Sequence, residues 1–160
     1  AAAFEARHLQ REKTDLLQLL EEQADAQRLQ WQAHGLKVRI EGEPLNMPVD
    51  APKIATTVAN LLSNAIRFSP HGGRITLALS QSDGLACIDI SDQGPGVAEA
   101  DRTRIFEPFY RGERQPMDAV RGTGIGLSIV QEYIAAHGGR ILLLPSAQGA
   151  HFRIELPHAT

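Results

Sequence analysis

The chain has 160 residues, a length typical of one domain, and 42% of them are hydrophobic, which is enough to build a sizeable core. A net charge of -3 gives no basic surface for nucleic acid, so no nucleic-acid partner is expected. The single cysteine, Cys87, excludes a disulfide and a cysteine-based zinc site within the chain, and its apolar neighbours predict a buried strand position.

Residues 1–13 are charged and helix-friendly, and the chain starts at Ala1 rather than Met. We therefore expect them to be the end of a helix, or a linker, belonging to a longer protein, with the domain itself covering residues 14–160. Asp15, with Gln18 three residues later, predicts the start of a new helix that ends by Gly35. Residues 36–41 alternate as a strand does, and residues 45–49 are expected to pair back on it.

The next helix, over residues 51–69, is predicted to begin at Asp50 and carries most of the argument about function. On a helical wheel one apolar stripe forms from Ile54, Val58, Leu61, Leu62 and Ala65. Asn60, Asn64 and Arg67 gather on another face, within a sector of about 60°. Amide oxygens suit Mg²⁺, and an arginine one turn further on can meet phosphates. A solvated polar face is the alternative interpretation of this pattern.

Residues 74–81 and 85–91 alternate around a turn and predict a hairpin, which leads directly into Asp92-Gln93-Gly94-Pro95-Gly96. The glycines permit close approach of a flat ligand, and the Asp92 carboxylate can accept a hydrogen bond from an exocyclic amine such as that of adenine. Taken alone, this pattern is also typical of a tight turn.

Residues 98–104 predict a short helical turn, residues 105–110 form an aromatic cluster, and residues 111–121 show no periodicity. Gly122, Gly124 and Gly126 open a helix whose free N–H groups suit phosphate. The helix ends at residues 137–139, and strands are predicted over 140–144 and 151–156. The glycine pattern lacks the Rossmann context and the Walker lysine, so by itself it is weak evidence for a nucleotide site. The evidence is its occurrence after the other motifs, in this order and at close spacing.

Together these motifs resemble the catalytic and ATP-binding domain of sensor histidine kinases, in the superfamily that includes DNA gyrase, the mismatch-repair ATPases and a heat-shock chaperone. The resemblance covers about residues 14–157 and rests on an asparagine box (60–69), two glycine boxes (92–96 and 122–127) and a phenylalanine box (106–112). It implies an α+β fold, a two-layer α/β sandwich of the Bergerat type, with a mixed five-stranded sheet packed under three main helices.

The resemblance also implies roles for individual residues. Asn60, Asn64 and Arg67 are the expected catalytic residues, with Asn64 binding Mg²⁺, Asn60 supporting the metal or phosphates and Arg67 facing the phosphates. Phe68 is expected to flank the nucleotide, and Asp92 to accept from the adenine amine. The remaining expected nucleotide contacts are Gly94, Gly96, Val97, Phe106, Tyr110, Arg111, Arg121, Gly122, Thr123, Gly124, Ile125, Gly126 and Leu127. Residues 107–122 are expected to form an ATP lid, although Arg121 stands where many members have glycine.

None of the six histidines has the sequence context of a phosphoacceptor. The resemblance therefore implies that ATP and Mg²⁺ serve phosphoryl transfer to a histidine on a dimerisation domain outside these residues, followed by transfer to a response regulator. The parent is expected to be a homodimer anchored in the bacterial inner membrane. This domain is expected to lie in the cytoplasm and to be monomeric by itself.

Three other functions share this nucleotide site. ATP hydrolases of the superfamily carry a glutamate at the position of Asn60 to activate water, and a carboxamide is not a base. An anti-sigma-type serine kinase is a second alternative, against which the expected helix remnant in residues 1–13 argues modestly. A non-catalytic nucleotide-binding regulator is the third, and the intact motifs disfavour it.

Overall fold

The computed structural model describes residues 8–93, 126–146 and 149–158. In chain order these ranges form β1 (Glu12–Asp15), α1 (Leu16–Ala26), α2 (Arg28–Ala33), β2 (Lys37–Glu41), β3 (Asn46–Val49), α3 (Ala51–Phe68), β4 (Arg74–Ser82), β5 (Leu85–Ser91), α4 (Leu127–Ala136), β6 (Arg140–Leu144) and β7 (His151–Pro157).

Five of the strands form one sheet in the order β2-β4-β5-β7-β6. The β2–β4 pair is parallel and the other three pairs are antiparallel, so the predicted mixed five-stranded sheet is confirmed. A parallel pair needs a crossover between its strands, and β3 with α3 supplies it. The crossover lays α3 across the sheet, which is how the asparagine-bearing helix comes to pack on β5.

The helices α1, α3 and α4 cover one face of this sheet and enclose the core. Strand residues that face them are fully buried, among them Ile75, Leu77, Ile88, Ile90 and Ile154. The predicted apolar stripe of α3, from Ile54 to Ala65, is buried throughout. The predicted α+β sandwich of two layers, a sheet under three main helices, is confirmed.

The opposite face of the sheet carries polar side chains that form ion pairs between neighbouring strands. Asp89 on β5 accepts hydrogen bonds from Arg153 at 2.9–3.1 Å and from His151, both on the neighbouring β7. The bond to Asp89 raises the pKa of the Arg153 guanidinium. Cys87, on the same face, is buried as predicted, and burial raises the pKa of its thiol.

Two expectations about the amino-terminal part of the chain are wrong. β3 does not pair back on β2; it pairs antiparallel with β1 in a separate two-stranded sheet, with Glu12 opposite Val49. Glu12 and Lys13 therefore lie in a strand and not in a helix, whereas the assignment of residues 1–13 to a helix end or linker outside the domain stays a prediction. The sequence of β1 is wholly polar, Glu-Lys-Thr-Asp, so it carries no alternation by which a strand can be recognised.

The helix predicted from Asp15 to Gly35 is in fact two helices. Asp15 caps α1 as predicted, accepting from the Gln18 N–H at 3.1 Å, but α1 ends at Ala26. Gln27 leaves the helical region of the backbone, and its side chain donates to the carbonyl oxygen of Ala59 on α3 at 3.0 Å. The break thus coincides with a contact to the helix beneath.

Candidate nucleotide-binding site

Three of the expected site residues lie within α3 and the fourth ends it. Asn60 is buried, with 4% of its surface exposed, whereas Asn64, Arg67 and Phe68 are half-buried. The Arg67 guanidinium lies 6.0 Å from the centroid of the Phe68 ring, within cation–π range. The polar face predicted from the helical wheel is therefore not uniformly exposed: Asn60 is buried, and Asn64 and Arg67 lie nearer the surface.

Asp92 follows β5 directly, as predicted, and both its backbone and its side chain are held by the segment before β7. Its N–H donates to the Ala150 carbonyl oxygen at 3.0 Å, and its Oδ1 accepts from the Ala150 N–H at 3.2 Å. Gly149 makes this approach possible, because a Cβ there would overlap the Asp92 carbonyl oxygen. The next residue, Gln93, is tied to the start of β4, where its Oε1 accepts from the Arg74 N–H. The end of β5 is thus a fixed position from which to present a carboxylate.

Gly126 is an exposed residue directly before α4. Its carbonyl oxygen accepts hydrogen bonds from the N–H groups of Ile129 and Val130 in the first turn of the helix. Leu127 is the first residue of α4 and is half-buried. Among the residues that the structure describes, a Cβ on Gly126 would have only the Ser128 hydroxyl within 4 Å, at 3.8 Å. The free N–H groups of this first turn suit an anion.

A histidine that sequence reasoning took only for a helix cap proves to bridge α3 and α4. His137, at the end of α4, is 5% exposed, and its Nε2 accepts from the backbone N–H of Asp50, the residue that caps α3. Its Nδ1 lies 2.7 Å from the Tyr133 carbonyl oxygen, so Nδ1 carries the proton and the ring is neutral. Burial lowers the pKa of His137. The only signal in the sequence was a histidine directly before two glycines at a helix end.

Asp50 is a second buried group at this junction. Burial by itself acts to raise the pKa of its carboxyl group, but hydrogen bonds from the Gln10 and Lys53 N–H groups and the nearby Lys53 ammonium outweigh it, and the pKa is lowered. The carboxylate accepts from Gln10 at 3.0 Å and from the Lys53 ammonium at 3.3 Å. The junction therefore also holds the amino-terminal segment against α3.

The residues of α3 fit a cation shared with phosphate. Among residues 8–93, 126–146 and 149–158, no group of three or more His, Cys, Asp or Glu side chains is placed to hold a metal ion. A metal at this site would be held by the carboxamide oxygens of α3 together with water and ligand phosphates, which is a donor set that suits Mg²⁺.

The other residues expected at the site lie outside the described residues. They are Gly94, Gly96, Val97, Phe106, Tyr110, Arg111, Arg121, Gly122, Thr123, Gly124 and Ile125, together with the expected lid over residues 107–122. Their roles stay predictions. No described helix is long and apolar enough to cross a membrane.

A sandwich of this topology, with asparagines on the central helix and a fixed Asp after its neighbouring strand, defines a class of ATP-binding domains. Residues 49–160 match the family described as histidine kinase-, DNA gyrase B- and HSP90-like ATPases, and the chain belongs to that family. The predicted membership is confirmed.

The relatives that are most informative are sensor histidine kinases. The chain is 42% identical to the sensor histidine kinase TmoS of Ectopseudomonas mendocina over 111 residues, 68% of this chain and 11% of that protein. Its fold matches the catalytic domain of histidine kinase ThkA with a TM-score of 0.82, at 25% identity and covering 93% and 96% of the two chains. It also matches full-length ShkA, solved with AMPPNP, with a TM-score of 0.81, at 31% identity and covering 96% of this chain and 32% of that one.

ThkA has also been solved in complex with the response regulator protein TrrA; that structure matches with a TM-score of 0.78 at 23% identity, covering 93% of this chain and 42% of that one. The chain spans between 8% and 34% of the length of the curated relatives it matches. What these relatives share with it is the catalytic domain.

Proposed function

We propose that this chain is the catalytic domain of a two-component sensor histidine kinase, which binds ATP with Mg²⁺ and transfers the γ-phosphoryl group to a histidine on a separate dimerisation domain. The observation that carries the proposal is the pairing of the α3 carboxamides with Asp92 fixed at the end of β5, in a chain that belongs to this ATPase family. The phosphohistidine then supplies a response regulator, by analogy with the ThkA–TrrA complex. The remaining parent properties, a homodimer anchored in the inner membrane, stay predictions.

Each of the expected site residues on α3 and at the end of β5 has a role in this proposal. Asp92 accepts from the adenine amine, and the hydrogen bond that its Oδ1 accepts from the Ala150 N–H holds the carboxylate in place. Phe68 packs beside the nucleotide, and Arg67, stacked near it, faces the phosphates. Asn64 holds the cation, with Asn60 behind it in the interior. Mg²⁺ supplies neutralisation of the β- and γ-phosphate charge, and the protein contributes placement and electrostatics.

Hydrolysis of ATP as the principal activity is not favoured. A water-activating base is needed at the position of Asn60, and that residue is a buried carboxamide. Two of the relatives reported above, TmoS and ThkA, are named as histidine kinases.

The test is made with the purified chain and a matched pair of variants, Asp92→Asn and Asp83→Asn. Asp83 lies exposed in the β4–β5 turn, so its change controls for loss of one surface charge. Wild type and Asp83→Asn are expected to bind ADP in an Mg²⁺-dependent manner, whereas Asp92→Asn loses about 1–3 kcal/mol of adenine affinity and less for guanine nucleotides. Calorimetric titration with ADP and GDP measures both.

A second readout separates nucleotide binding from transfer. With γ-labelled ATP the chain alone is expected to stay unlabelled, and a separately supplied dimerisation domain of the parent is expected to acquire acid-labile label. Label on any of the chain's own six histidines, or equal loss of ADP and GDP affinity in Asp92→Asn, would contradict the proposal.

A further inference from the structure

We propose that His137 is a positioning residue of the nucleotide site: its neutral ring joins the first turn of α3 to the last turn of α4 and fixes the angle between the two helices. This inference rests on the proposed function, because it concerns the helices whose far parts carry Asn60, Asn64 and Gly126.

The geometry places the joint at the ends of the helices remote from those residues. The ring spans the gap by accepting from the Asp50 N–H at 3.0 Å while its other nitrogen bonds the Tyr133 carbonyl oxygen at 2.7 Å. From Asp50 to Asn60, and from His137 back to Leu127, the chain climbs ten helical residues, or about 15 Å. A rotation of about 4° at the joint would thus move the far parts by roughly 1 Å. Misplacement by about 1 Å is enough to slow a reaction by roughly a hundredfold.

Further contacts reinforce the joint and bring a third segment into it. The Lys53 ammonium lies 5.7 Å from the centroid of the Tyr133 ring, which gives a second link between α3 and α4. The Gln10 N–H donates to the Asp50 carboxylate, and β1 pairs with β3 immediately before Asp50. Any displacement of the amino-terminal segment therefore acts on the same residue that His137 holds.

The joint works only while the ring is neutral. A protonated Nε2 would face the Asp50 N–H as donor against donor. The new charge would stand among Arg11 and Lys53, which repel it, and Asp50, which attracts it. Because the His137 pKa is lowered by folding, the stabilisation is complete above the unfolded pKa of about 6.5 and is lost as pH falls through the folded value.

The test uses the whole chain with three variants. His137→Gln keeps a neutral acceptor but cannot titrate, and His137→Leu keeps bulk but has no acceptor. The matched control is His34→Gln, because His34 also ends a helix with Nδ1 on the carbonyl oxygen four residues before it, yet its side chain is exposed. ADP affinity is measured between about pH 5 and pH 8, spanning the ordinary histidine range. The melting temperature of each variant without nucleotide identifies the conditions in which it is folded.

Wild type and His34→Gln are expected to lose ADP affinity as pH falls through the folded pKa of His137, which burial places below the ordinary value of about 6.5, whereas His137→Gln keeps a much flatter profile. His137→Leu is expected to bind about tenfold more weakly at every pH, which corresponds to about 1.4 kcal/mol. Wild-type affinity in folded His137→Leu, or an unchanged pH profile in His137→Gln, would overturn the inference alone. Absence of ADP binding by wild type at every pH would overturn the proposed function and this inference with it.

Discussion

Replacing Asn64 by alanine should separate a role in metal binding from a role in folding. Asn64 is half-buried on α3, and alanine is the better helix former by up to about 0.7 kcal/mol. Because about 1 kcal/mol shifts the melting temperature by roughly 2–4 °C in a domain of this size, Asn64→Ala should melt at the wild-type temperature or about 1–3 °C higher.

Asn60, the other asparagine of the motif, should affect stability when it is replaced by alanine, because only 4% of its surface is exposed. Removing a buried carboxamide leaves the groups around it without their partner and destabilises by about 1–3 kcal/mol. Asn60→Ala is therefore expected to melt roughly 2–12 °C lower. Ser63→Ala, a half-buried change on the same helix, is the matched control and should leave nucleotide binding unchanged.

The assay combines melting without nucleotide with ADP titration in Mg²⁺ and in a chelator. Wild type and Ser63→Ala should bind ADP more tightly with Mg²⁺, and Asn64→Ala should lose that gain while retaining the metal-free affinity. Transfer to a supplied dimerisation domain should then fail. If Asn64→Ala melts several degrees lower, the residue is structural. If it keeps the full Mg²⁺ gain, the metal has been assigned to the wrong asparagine.

Two further changes probe the supports of the site and of the sheet. Gly149→Ala should weaken ADP binding markedly, because its Cβ would overlap the Asp92 carbonyl oxygen. The control Gly138→Ala has the same left-handed backbone, but its Cβ meets no described atom closer than 3.6 Å, so it should lower stability without a specific loss of ADP affinity. Equal ADP affinities of the two variants by calorimetry would refute this. Asp89→Ala should destabilise by about 1–3 kcal/mol because it leaves the Arg153 guanidinium on β7 without its carboxylate, against about 0–0.5 kcal/mol for Asp25→Ala in an exposed pair. Equal denaturant midpoints of the two variants would refute this.

Local features of the fold could be predicted from the sequence, because each depends on only a few neighbouring residues. The strand predicted over residues 140–144 and the hairpin over 74–81 and 85–91 match β6, β4 and β5 within one residue. Alternation and turn residues specify such elements by themselves. Asp15 and Asp50 marked helix starts for the same reason, since a cap acts within three residues.

Contacts between residues that are distant in sequence could not be predicted from the sequence. The pairing of β1 with β3 joins residues more than thirty positions apart, and the polar residues of β1 gave no period to find. The hydrogen bond from Gln27 to Ala59 on α3 joins residues 32 positions apart, and the burial of Asn60 likewise depends on how the layers pack. A helical wheel shows which residues share a face, but not what covers that face.

The sequence by itself thus determined the elements of the five-stranded sheet, the apolar stripe of α3 and, through the order of its motifs, the ATPase family. Only the tertiary structure decided that Asp92 is held by Ala150 and that His137 joins the helix starting at Asp50. Both are hydrogen bonds across more than fifty residues, whose formation depends on how the layers pack rather than on any local pattern.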